Sequence, residues 1–467
     1  MGMNEKTELF EQAPIPRAVA ALAIPTILSS LVMVLYNLAD TYFVGMLNDP
    51  VQNAAVTLAA PVLLAFNAVN NLFGVGTSSM MSRALGRREY ETVRNSSAFG
   101  FYCALFGGVF LSVFCTVFLH PLLAVLGADA VTWEATRSYM FWTVTCGAAP
   151  AILNVVLAYM VRSEGASLHA SVGTMSGCFL NMILDPIFIL PRGLNMGAAG
   201  AGCATFLSNC VACAYFFVLL HVRRKTTFVS VNPRRFGFKR FIVAGVCGVG
   251  IPASIQNLLN VTGMTILNNF TSSYGADAVA AMGISYKIHM IPMQIALGFS
   301  QGLMPLVSYT YASGNHRRMK DTILFAIKLM LPALFVVTLC YYLGAGTLIR
   351  AFMDNDSIVA YGTRFLRGFC VGLPFLCLDF LTVGVFQALG MGKHALVFAI
   401  MRKIILEIPV LFLYEELFPL YGLVYAQPTA EFILAVAAVI MLARIFKRCQ
   451  GTGRGQADEN ESRTMKQ

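Results

Sequence analysis

Two carboxylates set in otherwise apolar sequence are the residues best placed to do chemistry. Asp40 closes the stretch Tyr36-Asn37-Leu38-Ala39-Asp40, followed by Thr41, so on a helix the phenol and the carboxylate share a face. Asp185 follows Asn181 at the same spacing and is itself followed by Pro186. A proline inside a helix removes a backbone donor and bends or breaks the turn, freeing carbonyl oxygens beside the acid. An acid, an amide and loosened carbonyls suit a small monovalent cation. They equally suit a proton relay, because burial penalises the charged form of a carboxylate. The blander reading of Asp185 is an acid that caps the proline kink or pairs with a basic group.

Further along, Asp379 and Lys287 are also set in apolar sequence. Asp379 could meet a cationic substrate or hold helices together, and Lys287 could pair with an acid across a cavity. Arg402 and Lys403 precede Glu407 by five and four residues, which favours an intrahelical ion pair. Met33, Tyr36 and Asn37 early in the chain would suit the wall of a broad cavity, as would Gln256, Asn257, Asn260, Met293 and Gln294 later. Methionine and aromatic groups adapt to apolar cations, although each of these residues is also ordinary packing material.

The elements that must position these groups are membrane helices. Hydrophobic residues make up 57% of the chain and charged residues 12%, whereas a soluble domain carries about a quarter charged. Twelve apolar segments stand out: 17–44, 53–82, 96–119, 133–161, 168–190, 198–222, 241–270, 278–308, 322–344, 358–387, 395–417 and 422–446. Each has the roughly 20 residues needed to cover a hydrocarbon core. Lipid admits only helices or closed barrels, and continuous apolar runs rather than short alternation select helices. The fold expected is all-α, with twelve transmembrane helices.

The net charge of +10 is unevenly placed. Counted from the N-terminus, odd-numbered loops between segments hold only Arg192 and Arg350, while even-numbered loops hold the clusters at 83–94, 223–240 and 317–320. Positive residues mark the cytoplasmic side, so both termini and the 223–240 loop are expected there. The basic excess is thereby a topology signal and not a nucleic-acid surface. Residues 1–16 lack the apolar stretch of a signal peptide, and 447–467 read as a polar, disordered tail. The twelve cysteines lie almost entirely in apolar segments; Cys210 and Cys213 read as small packing residues rather than a redox or metal pair.

The chain also repeats itself. Ala23-Ile24-Pro25 matches Gly250-Ile251-Pro252 at a shift of 227, and Ala84-Leu85-Gly86 matches Ala312-Ser313-Gly314 at 228. Gly147-Ala148-Ala149-Pro150 resembles Val371-Gly372-Leu373-Pro374 at 224, and Gly200 pairs with Gly422 at 222. The boundaries are then an N-lobe over 17–222, a linker over 223–240 and a C-lobe over 241–446. Six helices per lobe give both lobes the same orientation, with an axis along the membrane normal and a cavity between them. That plan suits alternating access.

No Walker A loop or HExxH is present. Gly197-Ala198-Ala199-Gly200-Ala201-Gly202 opens an apolar helix with no preceding βαβ unit, so it reads as helix packing rather than a dinucleotide loop. At this point the motifs resemble a known family. Asp40-Thr41, Asn181 with Leu184-Asp185-Pro186, and the run from Met196 to Thr205 are similar to multidrug and toxic compound extrusion (MATE) transporters. The stretch from Gly283 to Pro305 is most similar to the bacterial MepA-like branch. The resemblance covers residues 10–447.

It implies a V-shaped pair of six-helix bundles that exports cationic amphipathic compounds by antiport with H⁺ or Na⁺. It requires no cofactor beyond that ion. It implies an N-lobe cation site at Asp40, Asn181, Asp185 and Thr205, in a monomeric, multi-pass protein of the bacterial plasma membrane. A branch with a C-lobe cation site carries a glutamate where this chain has Asn260, so that site is not carried over, although Asp379 remains. The rivals are a lipid-linked oligosaccharide flippase, which would need a strongly cationic cavity, and an intramembrane enzyme. The latter would have to assemble a site from the scattered His169, His289 and His394.

Overall fold

In the computed structural model, residues 8–353 and 355–464 are described, with side chains through Cys449. Among them the regular structure is helical throughout. The first half holds α1 (Ile15–Gly45), α2 (Pro50–Gly86), α3 (Tyr90–Val117), α4 (Trp133–Cys146 and Ala148–Ser163), α5 (Ser167–Ile189) and α6 (Ala198–Val222). The second holds α7 (Arg240–Ser272), α8 (Ala276–Ala312), α9 (His316–Phe352), α10 (Asp356–Cys370 and Leu373–Ala388), α11 and α12 (Leu423–Cys449). Segment α11 runs from Gly392–Ile400 through a π-helical stretch, Met401–Glu407, into Ile408–Leu417.

Among the described residues, nine helices are long and apolar enough to cross a membrane singly, and α4 and α10 are pairs bent by 48° and 45°. The bends fall at Gly147 and Gly372, each followed within three residues by a proline that cannot donate backward into the helix. The twelfth crossing, α11, carries Arg402, Lys403 and Glu407 at its centre. Several helices outrun their apolar segments. Thus α9 spans 37 residues around the apolar run 322–344, because a helix continues through the headgroup layer once its core is buried.

Asx side chains cap the N-termini of α2, α9 and α10. Asp49 accepts from the Val51 N–H at 2.9 Å, and Asn315 accepts from the Arg318 N–H at 3.1 Å. After α12 the backbone remains helical to Thr464, where the sequence suggests a disordered tail. Propagating an existing helix costs far less than nucleating one. Side chains beyond Cys449 lie outside the described residues, as do residues 1–7 of the N-terminal segment.

The halves meet along α1 and α8 and along α2 and α7. A Cβ at Gly302 would sit 2.7 Å from the Ala23 Cα, and one at Gly298 would sit 2.8 Å from the Ser30 hydroxyl, so α8 must present glycine for α1 to approach. Ser254 of α7 donates to the Ala68 carbonyl of α2 at 2.6 Å. These approaches fall in the halves of the helices nearest the basic loops. The N-terminal segment adds a bridge there. Phe10 stacks on Tyr309 with ring centroids 4.7 Å apart, Glu11 meets Arg88 at 3.4 Å and the Tyr309 hydroxyl at 2.6 Å, and Arg318 donates to the Phe10 carbonyl at 2.7 Å. The linker docks against the first half, where the buried Glu164 accepts from the Thr227 hydroxyl at 2.8 Å and the Phe228 N–H at 2.9 Å.

Candidate functional site

Asn181 and Asp185 are buried one turn apart on α5, and Thr205 faces them from α6. With its amide oriented to satisfy both neighbours, Asn181 donates to Asp185 Oδ2 at 2.9 Å and accepts from the Thr205 N–H at 3.1 Å. The Thr205 hydroxyl lies 3.3 Å from the same amide. Helix α5 runs through Pro186 to Ile189 without breaking. Pro186 still has no N–H to give to the Met182 carbonyl one turn back, so the local effect expected of it persists without a break.

From α1, Asp40 comes close enough to Asp185 for the two charges to repel, and Tyr36 adjoins both acids and Thr205. Asp40 Oδ1 is buried without a hydrogen-bond partner. No basic side chain pairs with either acid among the described residues. The result is a cluster of two carboxylates, one amide and two hydroxyls, which is an oxygen-rich, cation-poor set. The structure thus brings Asp40, Asn181, Asp185 and Thr205 together.

Tyr139 of α4, buried and electrostatically in contact with Tyr36, Asp40 and Asp185, belongs to the same cluster and escaped sequence reading. Nothing in its sequence neighbourhood marks it. It reaches the cluster because Gly202 of α6 lets α4 approach, with the Tyr139 carbonyl 3.0 Å from where a Cβ would be. Gly200 and Gly202 therefore serve helix packing, as their setting suggested. Cys213 is free and donates to the Pro150 carbonyl at 3.2 Å.

The second half holds a polar cavity of about 310 Å³. Gln256, Asn257, Asn260, Met293 and Gln294 line it, joined from the first half by Asn71 and Tyr159. Met33, Tyr36, Asn37, Lys287 and Asp379 do not. Met33 and Asn37 are exposed on α1, where the Asn37 amide bonds back to the Met33 carbonyl at 2.9 Å. Tyr36 belongs to the carboxylate pocket. Tyr286 faces the cavity, and Lys287 is rotated about 100° around the helix from it, exposed and, among the described residues, with no ion pair across the cavity.

Asp379 sits behind the wall, fully buried, with neither carboxylate oxygen hydrogen-bonded. Its charged neighbours are Arg402 and Glu431. Arg402 donates to Asn260 Oδ1 at 2.9 Å and lies over the Phe380 ring at 5.4 Å. Lys403 donates to Glu407 at 2.6 Å, the intrahelical pair its spacing suggests. The π-helical turn places Arg402, Lys403 and Glu407 all in the buried interior. Glu431 of α12, wholly buried, accepts from Gln427 at 2.7 Å. Sequence reading missed it, although it is an acid inside the last apolar segment, four residues after an amide, as Asp185 is after Asn181.

His169, His289 and His394 do not gather. His169 lies 3.4 Å from the Tyr215 hydroxyl, His289 stacks on Phe369 at 5.4 Å, and His394 neighbours Phe386 near the basic loops. Among the described residues no cluster of His, Cys, Asp or Glu has a metal-binding arrangement.

One family model, MatE, matches the chain twice, over residues 25–187 and 252–413. The chain belongs to the MATE family. The two matches begin on Pro25 and Pro252, at the repeat spacing seen in the sequence. The multidrug export protein MepA of Staphylococcus aureus strain MRSA252 is 32% identical over 442 residues, which is 94% of this chain and 96% of that protein. MepA of Staphylococcus haemolyticus is 31% identical over 448 residues, covering 95% and 97%. An outward-facing multidrug resistance MATE transporter of the MOP superfamily superposes with a TM-score of 0.90 at 26% identity, over 96% of this chain and 99% of that one. A MOP superfamily transporter from Pyrococcus furiosus, described as having a binding pocket of reversed polarity, gives 0.88 at the same identity and coverage. This MATE chain is a multi-pass membrane protein built on the family's all-helical fold.

Proposed function

We propose that this chain is a secondary active multidrug efflux transporter that exports cationic amphipathic compounds by antiport with H⁺ or Na⁺. It is a transporter and not an enzyme, in keeping with relatives named as export proteins. The observation that carries the coupling is the cluster at Asp40, Asn181, Asp185 and Thr205, two acids from α1 and α5 with an amide bonded to Asp185 and, among the described residues, no base. Two like charges in one buried pocket are costly together, and a monovalent cation or a proton relieves that repulsion. Because α1 also packs on α8 of the other half, occupancy of the pocket can bias how the halves meet.

The charge bias of the loops supports a bacterial plasma-membrane orientation with both termini cytoplasmic. The halves then close on the cytoplasmic side, as in an outward-facing state. We place substrate against the polar cavity at Gln256, Asn260 and Gln294, in a monomer. For a singly charged drug exchanged one for one with H⁺ the charge movement cancels, so the pH gradient alone drives export, about tenfold per pH unit. The test is ethidium transport in everted vesicles, comparing wild type with Asp40→Asn and Asp185→Asn under an imposed pH or Na⁺ gradient. Loss of gradient-driven transport in folded variants supports the reading, and unchanged transport in both sinks it. Varying pH at fixed Na⁺, then the reverse, chooses the ion.

A further inference from the structure

A second cavity, of about 1050 Å³, lies at the basic end of the helices. Arg83 and Arg87 from α2, His316 from α9, His394 from α11, and Arg444 and Arg448 from α12 contribute to its wall. Among the described residues no carboxylate lines it. Arg87 is answered outside the wall by Glu89 at 2.7 Å. Among the described residues the Arg83 guanidinium is held by neutral groups, the Ser79 carbonyl at 3.2 Å, the Gly245 carbonyl at 3.5 Å and the Met80 sulfur at 3.9 Å. Nδ1 of His316 has no partner. The remaining wall is apolar, with Phe386, Leu389, Met441 and Ile445.

The chamber has an apolar outlet. A groove of about 170 Å³ between α11 and α12 shares His394 and Met441 with it and continues over Val397, Phe398, Met401 and Leu434. Val397 is 56% and Met401 36% exposed, so the groove opens on a face that a transmembrane pair turns toward lipid. A phosphate-bearing solute would use the cationic chamber alone. A molecule that fills both needs a phosphate at one end and a hydrocarbon chain at the other. Basic pockets between helix ends at a membrane surface are suited to anionic lipid head groups, and arginine forks match phosphate oxygens.

We propose that this chamber and groove form a binding site for an anionic phospholipid, the phosphate among Arg83, Arg444 and His394 and one acyl chain between α11 and α12. The site spans both halves, since Arg83 comes from the first and Arg444 from the second. It depends on neither the transported compound nor the coupling ion.

The test is native mass spectrometry of the full-length protein with an equimolar mixture of phosphatidylglycerol and phosphatidylcholine. Wild type should retain phosphatidylglycerol preferentially. Arg444→Gln with His394→Gln should reduce that retention by about fivefold or more, and Ala437→Trp, which fills the groove, should do the same. Arg350→Gln, at the opposite end of the helices, should leave it unchanged. Should either altered chamber or groove impair folding, Arg444→Gln alone, at an exposed position, carries the measurement. No preference in wild type overturns the proposal, as does a preference that survives both the chamber and groove variants. Displacement of the lipid by millimolar inorganic phosphate or glycerol phosphate also overturns it, in favour of a soluble phosphate ligand.

Discussion

The two halves share a scaffold and differ in how they handle buried charge. In the first, Asp40 and Asp185 face each other with an amide and hydroxyls but no base. In the second, three acids (Asp379, Glu407 and Glu431) are accompanied by Arg402 and Lys403, and the position of a further acid is taken by Asn260, which accepts from Arg402. Uncompensated carboxylates attract a cation, whereas a paired one such as Glu407 mainly holds helices together. Repetition supplies two bundles of one fold. On the proposed function, the asymmetry of charge makes one of them responsive to an ion.

The comparison breaks most severely if the second half's network is not structural. Lys403→Met should lower stability by about 3–5 kcal/mol, because it leaves Glu407 buried and unpaired. Adding Glu407→Leu should recover most of that loss. Denaturation of the purified single and double variants in detergent measures both. Equal losses in the two would mean that Glu407 has another partner in the folded protein.

In the first half the effect should appear in transport and not in stability. Asp185→Asn removes a charge yet keeps hydrogen-bonding atoms toward Asn181, so gradient-driven efflux should fall by about tenfold or more with little change in melting temperature. Asn260→Glu sharpens the contrast further. The new carboxylate would meet Arg402, now 2.9 Å from Asn260, and be neutralised. Ion stoichiometry should therefore stay as in wild type, with transport changed by less than about threefold. Appearance of a second coupled ion, read from reversal potentials in proteoliposomes, would show that the second half needs only that acid.

The smallest effect belongs to the bridge between the halves. Glu11→Gln removes a partly exposed contact to Arg88 and should cost about 0.2–1 kcal/mol. Phe10→Ala should cost more, since Phe10 is buried against Tyr309. Melting temperatures of the two variants rank them.

Helix number, the repeat and the N-lobe acids were legible because each has a local signature, whereas Thr205 entered through the family resemblance. Spans announce themselves by length and hydropathy. Asn181–Asp185 and Tyr36–Asp40 announce themselves by four-residue spacing within an apolar run. Glu431 carried the same mark beside Gln427 and could have been read. Tyr139 carried none. The choice among Met33, Asn37, Lys287 and Gln256 as cavity wall was also illegible, because helical spacing says which residues share a face but not what that face meets.

The sequence by itself therefore determined the all-helical membrane fold, its two-fold repeat and the Tyr36–Asp40 and Asn181–Asp185 pairs, since bilayer thickness and helix periodicity act locally along the chain. Only the tertiary structure decided that Asn181 bridges Asp185 to Thr205, that Arg402 is held by Asn260 and neighbours Asp379, and that Arg83 and Arg444 share one chamber. Those pairings join residues that are distant along the chain. Their proximity follows from how glycine-lined helices pack, which no local pattern encodes.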